Sequence, residues 1–448
     1  MYDYDLLVIG AGSGGLAAAQ TAANYGAKVA IADPDALGGT CVNRGCIPKK
    51  LMVYAANFAR QQRLAKSYGW VNPSACDRFD WSALRVAIEQ HQAKLRQSYQ
   101  SKLTKAGVTL LRCAARFVEP HKVELSDRTL TVDRVIVATG AKPLKPGLPG
   151  IDYGLTSRDI FRLSDFPQQL TIVGGGYIGA EFSNMFCTMG AQVTLIDKND
   201  YILPGFDRDI RQTVHTSLTN QGIRLLSETL LERIENVDNG LRVKLSGQCD
   251  DTLMADTLLL ALGRVPNLDG LNLEAAGVAV EHGAIAVDDY SRTSQPSILA
   301  VGDCTKRVPL TPVAIAEGKA AAQTLFGPEP QAVNYRWVPS AVFCAPEAAT
   351  VGWTEEQAQA QNDGEIGIHC ARFTPLRYAL PEQEQETLVK LVVDERSQQI
   401  LGMHLVGDDV AEIIQGFLPA LRQGLTLSEL TATIALHPTS AEEIFDLA

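Results

Sequence analysis

Two cysteines near the amino end have a spacing that could support redox chemistry. Cys41 and Cys46 lie five positions apart, so their sulfurs could close a small disulfide loop. Packed thiols or metal ligands are the alternatives, although zinc sites usually have a second closely spaced pair and none follows here. Redox use of such a pair needs one stabilised thiolate and a second thiol that can attack. Lys49 and Lys50, with a helix start predicted around them, would lower the pKa of a neighbouring thiol.

A histidine near the carboxyl end could carry protons for such a pair. His437 is one of seven histidines, and an imidazole gives or takes a proton near neutral pH. A lone histidine is more often a packing or surface residue. Here Glu442 follows five residues later and could orient the imidazole if Pro438 forces a turn between them. The pair could protonate a departing thiolate.

Two glycine-rich segments indicate where dinucleotides would bind. Each runs from an apolar stretch of strand length into Gly-x-Gly-x-x-Gly and then into an Ala-rich helical pattern, and they lie about 165 residues apart. The glycines permit a tight turn, a close approach of backbone to a pyrophosphate, and close packing of helix on strand. The free N–H groups at the helix start favour the phosphate charge. The predicted loop residues are Gly10, Gly12, Ser13, Gly14 and Gly15 in the first segment and Gly174, Gly176 and Gly179 in the second.

An acidic residue completes each of these predicted units. Asp33 and Asp197 each lie 23 residues after the first glycine of their loop, at the end of a second β-branched stretch. A carboxylate at this position can accept hydrogen bonds from ribose hydroxyls. Two such units predict two bound nucleotides, as in a redox enzyme that passes hydride between a nicotinamide and a flavin.

The helices and strands that position these groups belong to a chain of 448 residues. At roughly 150 residues per domain, this length predicts about three domains. The net charge of −11 argues against nucleic acid or an anionic membrane as a partner. No apolar run approaches the ~18 residues of a membrane helix. The start of the chain, Met1–Asp5, shows no signal peptide, and nine cysteines are too few for a disulfide scaffold. We therefore expect a cytoplasmic protein without a metal site.

The order of predicted strands and helices favours an α/β fold. Three prolines between positions 143 and 149 indicate a connector between the two nucleotide-binding units. Strands are predicted at Leu388–Val393 and Ile400–Val406, and a helix at Val410–Leu421. The predicted segments are 1–142 and 267–335 for the first nucleotide-binding domain, 143–266 for the second, and 336–448 for a C-terminal domain.

Five stretches, in the same order, resemble the class I pyridine nucleotide-disulfide oxidoreductases, which are flavoprotein disulfide reductases. They are Gly38–Lys50, Ala138–Gly140, Ala261–Asn267, Ala300–Asp303 and His437–Glu442. The resemblance implies Rossmann-like FAD and NAD(P) domains followed by an α+β dimerisation domain. It also implies a homodimer in which the partner subunit supplies the histidine and glutamate to each active site.

The resemblance also implies roles for individual residues. Cys41 would attack the substrate disulfide, and Cys46 would be the charge-transfer thiol beside the flavin. Lys49 would lie near the flavin and pair with Glu181, and Tyr177 would cover the nicotinamide pocket. The further FAD residues would be Asp33, Gly39, Thr40, Thr139, Gly140 and Asp303, and the further NAD(P) residues would be Asp197, Lys198, Gly263 and Arg264.

Within the family the chain resembles glutathione reductases, those of plants and cyanobacteria especially. The supporting residues are Pro48–Lys50, Leu310–Ile315 and Tyr99, which falls where that subfamily has a tyrosine at the disulfide cleft. Two arginines that commonly serve the glutathione carboxylates are replaced by Gln20 and Lys319. The substrate expected is therefore glutathione disulfide or a close analogue, such as an amidated form.

The coenzyme positions depart from the NADPH pattern as well. Two arginines that hold a 2′-phosphate in NADPH-dependent members are replaced by Lys198 and Pro204. Asp197, just before them, would accept from a free ribose 2′-hydroxyl and repel a 2′-phosphate. We expect NADH to be preferred, with some use of NADPH through Lys198.

Two alternative functions fit parts of the pattern. Dihydrolipoamide dehydrogenase agrees with Asp197 but not with the two lysines after Pro48. A flavin-binding redox sensor without turnover would need a missing catalytic residue, and none is conspicuous. The remaining cysteines have no pairing motif and are expected to be structural: Cys76, Cys113, Cys187, Cys249, Cys304, Cys344 and Cys370.

Overall fold

The structure is a computed structural model that describes residues 1–71, 79–126, 128–361, 364–381 and 385–447. Its backbone divides into two units, each assembled from separated stretches of chain. The first unit contains Met1–Leu51, Ser82–Leu144 and Gly263–Tyr335, and the second contains Met52–Trp81, Lys145–Leu262 and Arg336–Ala448.

The α-helices of the described residues, numbered in chain order, are α1 Ser13–Asn24, α2 Gly39–Arg44, α3 Cys46–Ala65, α4 Trp81–Lys105, α5 Tyr177–Thr188, α6 Arg208–Asn220, α7 Thr311–Phe326, α8 Glu355–Gln361, α9 Val410–Arg422 and α10 Leu427–Thr431. The strands are β1 Tyr4–Ile9, β2 Val29–Ala32, β3 Thr109–Leu111, β4 Arg116–Glu119, β5 Lys122–Glu124, β6 Thr129–Val137, β7 Ala141–Pro143, β8 Leu155–Thr156, β9 Gln169–Val173, β10 Gln192–Ile196, β11 Arg224–Leu226, β12 Thr229–Val237, β13 Gly240–Gly247, β14 Thr252–Ala255, β15 Thr257–Leu260, β16 Arg264–Pro266, β17 Val280–Glu281, β18 Ala284–Ile285, β19 Ile298–Ala300, β20 Ser340–Val342, β21 Glu347–Gly352, β22 Ile366–Phe373, β23 Thr387–Asp394 and β24 Ile400–Gly407.

The first unit is built on a sheet in the order β3-β2-β1-β6-β5-β4, with β19 pairing β6. The pairs that β1 makes with β2 and β6, and that β6 makes with β19, are parallel. The apolar run of β1 is buried on both faces, because Leu7 belongs to one hydrophobic cluster while Leu6 and Val8 belong to another. The register aligns Ile9 with Val137. The loops that follow these strands therefore lie at one edge of the sheet.

The second unit contains an equivalent parallel sheet in the order β11-β10-β9-β15-β8. Strands β12, β13 and β14 form a separate antiparallel sheet, and in the chain they lie between β11 and β15. The two βαβ units predicted from the glycine segments are thus confirmed: β1-α1-β2 in the first unit and β9-α5-β10 in the second.

The C-terminal segment forms an antiparallel sheet in the order β20-β21-β24-β23-β22. The predicted strands at Leu388–Val393 and Ile400–Val406 are confirmed as β23 and β24, and the predicted helix as α9. Val410, Ile414 and Leu421 of α9 recur at helical spacing and pack in one cluster with residues of the sheet. Among the described residues no helix is long and apolar enough to cross a membrane.

Candidate active site

The first glycine loop joins β1 to α1 in the first unit. A Cβ on Gly15 would lie 1.9 Å from the carbonyl oxygen of Gly10, so the helix approaches the loop at a distance that only glycine permits. Gly12 is the N-cap residue of the helix and has no side chain that could cap the first N–H groups. The first N–H groups of α1 are consequently available to a phosphate.

A second glycine brings another stretch of backbone beside this loop. Gly39 has a φ of +59°, and a Cβ on it would lie 2.7 Å from the Cα of Gly12. The two glycines therefore line a strip of bare backbone at the start of α1. Thr139 follows the carboxyl end of β6, next to the first glycine loop. Its buried Oγ1 has no hydrogen-bond partner among the described residues. A buried unpaired hydroxyl and a bare backbone strip fit a dinucleotide such as FAD.

The acids of the two predicted nucleotide units have the same hydrogen-bond geometry. Asp33 Oδ2 accepts from the Ala11 N–H at 2.6 Å, and its Oδ1 accepts from the Asp35 N–H at 2.8 Å. Asp197 Oδ2 accepts from the Gly175 N–H at 2.5 Å, and its Oδ1 accepts from the Asn199 N–H at 2.8 Å. Each acid thereby fixes its glycine loop relative to the second strand. Burial raises the pKa of Asp33, and the two backbone donors oppose that effect.

The loop after β19 carries Asp303, a predicted FAD residue. The Gly302 N–H donates to the buried Glu317 carboxylate at 2.6 Å, which fixes this loop to α7. Arg264, predicted to serve the nicotinamide coenzyme, donates to Asp303 Oδ2 at 3.3 Å and to the Ala141 carbonyl at 2.9 Å. Its guanidinium and Gly263 thus lie in the first unit, together with the predicted FAD residues.

The predicted redox pair sits where α2 gives way to α3. Cys41 lies in α2, and Cys46 is the first residue of α3. Both are thiols in this structure, and they hydrogen-bond to each other. The hydrogen bond from Cys41 lowers the pKa of Cys46 to about 6, with help from the Thr311 hydroxyl and the charge of Lys49. The same hydrogen bond, and burial, raise the pKa of Cys41.

Helix α4 supports the turn that carries the thiols. Gln92 Nε2 donates to the Val42 carbonyl at 2.8 Å and to the Asn43 carbonyl at 3.1 Å. Arg96 NH1 donates to Asn43 Oδ1 at 3.1 Å. Tyr99, on the same helix, is half-buried, and burial together with the charge of Cys41 raises its pKa.

Arg44 lies between the two cysteines in the sequence and forms an ion pair with Asp35. Its side chain is 16% exposed, so the guanidinium is held against the loop after β2 rather than solvated. The charges that lower the pKa of Cys46 include Lys49. The structure therefore links Arg44 to the Asp33 loop.

The two positions that replace arginines lie on helices that pack closely. A Cβ on Gly318 of α7 would lie 2.2 Å from the carbonyl oxygen of Gly14 in α1. Gln20, on α1, is half-buried, and Lys319, on α7, is exposed. Lys319 can thus offer a charge to an anionic substrate group, whereas Gln20 offers an amide.

The second glycine loop has the geometry of the first. A Cβ on Gly179 would lie 1.9 Å from the carbonyl oxygen of Gly174, and Gly176 caps α5. Tyr177 is the first residue of α5 and is 46% exposed. Glu181, one turn later, is buried, and its Oε1 accepts from the Phe343 N–H at 2.9 Å.

The loop that follows Asp197 carries the other residues predicted to face the coenzyme. Lys198 and Pro204 are both exposed. The loop folds back on the glycine segment through the Leu203 N–H, which donates to the Gly175 carbonyl at 2.7 Å. Its exposed side chains are therefore presented beside the start of the glycine loop.

The predicted acid–base pair forms in the second unit. His437 Nδ1 lies 2.8 Å from Glu442 Oε2, and the Thr439 N–H donates to Glu442 Oε1 at 3.3 Å. The imidazole is 80% exposed while the carboxylate is 21% exposed. Nδ1 is thus occupied by the carboxylate, and Nε2 is presented outward.

The other cysteines differ in their surroundings. Cys304 and Cys344 are buried, whereas Cys370 is exposed; Cys76 lies outside the described residues.

Two residues of the site, Thr311 and Glu317, were not predicted from the sequence. Pro312 indicates that a helix starts near Thr311, but nothing local indicates what its hydroxyl contacts.

Comparison with protein families matches almost the whole chain. The pyridine nucleotide-disulphide oxidoreductase family model matches residues 4–318, and the dimerisation domain model of the same family matches residues 338–448. A glutathione reductase of Nostoc sp. is 46% identical, covering 99% of this chain and 98% of that protein. A glutathione reductase of Burkholderia cepacia is 40% identical, covering 100% and 98%.

A solved structure has a similar fold along its full length. The HOCl-induced flavoprotein disulfide reductase RclA from Escherichia coli superposes with a TM-score of 0.88 at 29% identity, covering 99% of both chains. The α/β architecture with a C-terminal dimerisation domain is therefore shared with a flavoprotein disulfide reductase.

Proposed function

The chain belongs to the pyridine nucleotide-disulphide oxidoreductase family, and we propose that it reduces glutathione disulfide or a close analogue with NADH as the preferred electron donor. Membership of the family makes the protein a flavin-dependent disulfide oxidoreductase that uses FAD and a pyridine nucleotide. The proposal concerns which disulfide is reduced, which pyridine nucleotide is preferred and what each residue of the site does. The observation that carries it is the placement of two neighbouring thiols, Cys41 and Cys46, at the junction of α2 and α3, where the Thr311 hydroxyl lies 3.5 Å from the Cys46 sulfur.

The residues present fit FAD. The Gly12–Gly39 backbone strip would hold the pyrophosphate, Asp33 the adenosine ribose, and Thr139 and Asp303 groups nearer the flavin. FAD, when bound, supplies the two-electron redox chemistry between the pyridine nucleotide and the cysteine pair. The protein holds the cofactor, and the thiols carry the exchange with substrate.

The exchange begins from the reduced pair. Cys41 loses its proton, and its sulfur attacks one sulfur of the substrate disulfide, so that a mixed disulfide forms and the first thiolate leaves. The Cys46 thiolate then attacks the Cys41 sulfur, which forms the Cys41–Cys46 bond and expels the second thiolate. Two electrons pass from the pair to the substrate. A thiolate at Cys46 with a pKa of about 6 is available for this second attack at neutral pH.

His437 is the proposed proton carrier. Glu442 accepts a hydrogen bond from the His437 Nδ1–H, which leaves Nε2 to receive the Cys41 proton and to deliver it to the first leaving thiolate. The imidazole is 80% exposed, which supports a role in the active site of a partner subunit. The match of residues 338–448 to a dimerisation domain supports the homodimer that this arrangement needs.

The coenzyme preference rests on the charge at the end of β10. Asp197 Oδ1 accepts from both the backbone N–H and the side-chain amide of Asn199, while Oδ2 accepts only from the Gly175 N–H and keeps a lone pair that a ribose 2′-hydroxyl can use. A 2′-phosphate there would meet the same carboxylate at close range, without the arginine that Pro204 replaces. Lys198 is exposed and offers one compensating charge, which supports a residual use of NADPH.

The relatives and Gln20 support the proposed substrate. The relatives named above are glutathione reductases, which supports glutathione disulfide. Gln20 offers no charge to a glutathione carboxylate, which supports an analogue with fewer carboxylates, such as an amidated glutathione. The composition and the glutathione reductase relatives also support a cytoplasmic location.

The test is an anaerobic titration of the purified holoenzyme with NADH and with NADPH. We expect long-wavelength absorbance to appear, because a Cys46 thiolate beside the flavin gives charge transfer, and we expect turnover on adding glutathione disulfide or its amide. Faster turnover of lipoamide would assign a dihydrolipoamide dehydrogenase instead. Absorbance changes with no turnover of any disulfide would assign a redox sensor. Cys46→Ser should bind FAD and lose turnover, and retained turnover would overturn the thiol assignment.

A further inference from the structure

A buried lysine in the second unit contacts three carboxylates, which belong to the N-cap of α6, to α6 itself and to α8. Lys390, in β23, is 1% exposed, and its Nζ donates to Asp207 at 2.9 Å, to Asp209 at 2.6 Å and to Glu355 at 2.8 Å. Its three N–H groups are thus all used. Removal of this ammonium is expensive, because the fully buried Asp207 carboxylate would lose its ammonium partner.

Asp207 connects this cluster to the start of α6. Its side chain is fully buried, and Oδ1 accepts from the Asp209 N–H at 3.0 Å as the N-cap of the helix. Oδ2 accepts from the Glu355 N–H at 3.1 Å. Both oxygens thus have backbone partners, and Lys390 Nζ adds a charged donor to Oδ1 at 2.9 Å, which helps to hold the cap in one orientation. The N-terminal end of α6 is therefore fixed to the C-terminal sheet.

The same end of α6 holds the loop that follows Asp197. Arg211, in the first turn of α6, donates from Nε to the Ile202 carbonyl at 3.1 Å and from NH2 to the Tyr201 carbonyl at 2.7 Å. The loop is thus attached at one end to the glycine segment, through Asp197, and at the other end to α6. Any displacement of the α6 start would be transmitted through Arg211 to the backbone of the loop.

We propose that Lys390 is a positioning residue for the adenosine half of the pyridine nucleotide. It holds Asp207 and the first turn of α6, and α6 through Arg211 holds residues 198–206 in the shape that receives the adenosine ribose. The inference rests on the proposed function, because it requires that Asp197 and this loop face the coenzyme. It assigns Lys390 no contact with substrate or flavin.

The test measures the binding of ADP-ribose, which contains the adenosine half of the coenzyme without the nicotinamide. Lys390→Met keeps the length of the side chain and removes the charge, so the Asp207 cap of α6 loses its buried ammonium partner. We expect calorimetric titration of ADP-ribose into the FAD-loaded variant to give a Kd at least about tenfold higher than in the wild type. Flavin reduction by reduced nicotinamide mononucleotide, which lacks the adenosine half, should keep its wild-type rate.

Two further variants keep the test decisive. Arg211→Gln removes the link to the loop without touching the buried cluster, and it should weaken ADP-ribose binding even if Lys390→Met does not fold. Tyr378→Phe, which removes a buried hydrogen bond to Asp408 elsewhere in the same unit, is the control for lost stability and should bind ADP-ribose normally. Wild-type affinity in both Lys390→Met and Arg211→Gln would overturn the proposal. A wild-type holoenzyme that fails to bind ADP-ribose would instead overturn the proposed coenzyme site.

Discussion

The Thr311 hydroxyl lies 3.5 Å from the Cys46 sulfur, although the two residues are 265 positions apart in the chain. Thr311 is the first residue of α7, and Cys46 is the first residue of α3. Each residue thus stands at a helix start, where free N–H groups favour negative charge. The contact gives the Cys46 thiolate a hydroxyl donor in addition to the Cys41 thiol.

Removing this hydroxyl should make the Cys46 thiolate harder to form. Thr311→Val keeps the shape of the side chain and removes the donor, and a hydrogen bond to a charged group contributes roughly 1.5 kcal/mol, so the pKa of Cys46 should rise by about one pH unit. The measurement is the pH titration of long-wavelength absorbance in the two-electron-reduced holoenzyme. Thr311→Ser, which retains a hydroxyl, should titrate like the wild type. An unchanged titration in Thr311→Val would show that the hydroxyl does not stabilise the thiolate.

The pH dependence of the wild-type enzyme follows from the same pKa. Cys46 is lowered from its ordinary value of 9.0 to about 6, so the thiolate is present above that pH and is lost as the pH falls through it. The long-wavelength absorbance of the reduced enzyme should therefore grow between about pH 5 and pH 7. Cys46→Ser should show no such absorbance at any pH. A midpoint near 9 in the wild type would contradict the contact between the thiols.

Coenzyme preference should move with the charge at the end of β10. Asp197→Ala combined with Pro204→Arg removes a repulsive carboxylate and adds a guanidinium, so the ratio of kcat/KM for NADPH to that for NADH should rise at least about tenfold. Asp238→Arg, which changes the charge by the same two units in the exposed turn between β12 and β13, is the control. The parent enzyme should favour NADH. Equal or better kcat/KM with NADPH in the parent would contradict the preference.

The orientation of the proton carrier should depend on Glu442. In Glu442→Gln the acceptor of the His437 Nδ1 proton becomes a neutral amide, so the imidazolium that forms during exchange is less stabilised and kcat should fall by about tenfold or more. FAD content and flavin reduction by NADH should stay normal, because the change affects the step at the substrate disulfide. Glu443→Gln, at the adjacent position, is the matched control. Loss of flavin reduction in Glu442→Gln would point to a structural defect instead.

The sequence predicted the local parts of the site well, because each part depends on a short pattern. Both glycine loops, the acids that follow them and the strand-rich C-terminal segment fold as predicted, and Asp33 and Asp197 have equivalent geometry because both βαβ units have the same spacing. Cys46 at the start of α3 was also expected from the residues around it. Periodicity and turn residues act over a few positions, and these are visible along the chain.

The partners of single polar groups could not be predicted in this way. Lys390 stands within an apolar strand pattern, and its carboxylate partners Asp207 and Glu355 are 183 and 35 positions away. The Arg264 guanidinium donates to Asp303, 39 positions away, and no local pattern indicates that contact. In each case the partner is set by which strands and helices the topology brings together.

The sequence by itself determined the two nucleotide folds, the thiol pair and the acid–base residues, since these need only the right residue types at short, fixed spacing. The tertiary structure decided which sulfur is the more acidic, because that depends on the Cys41 thiol, Lys49 and the distant Thr311 hydroxyl meeting at one atom. It also decided that Asp207 is tied to Lys390. A charge is stabilised by whatever lies within a few ångströms of it, and that neighbourhood exists only once the chain has folded.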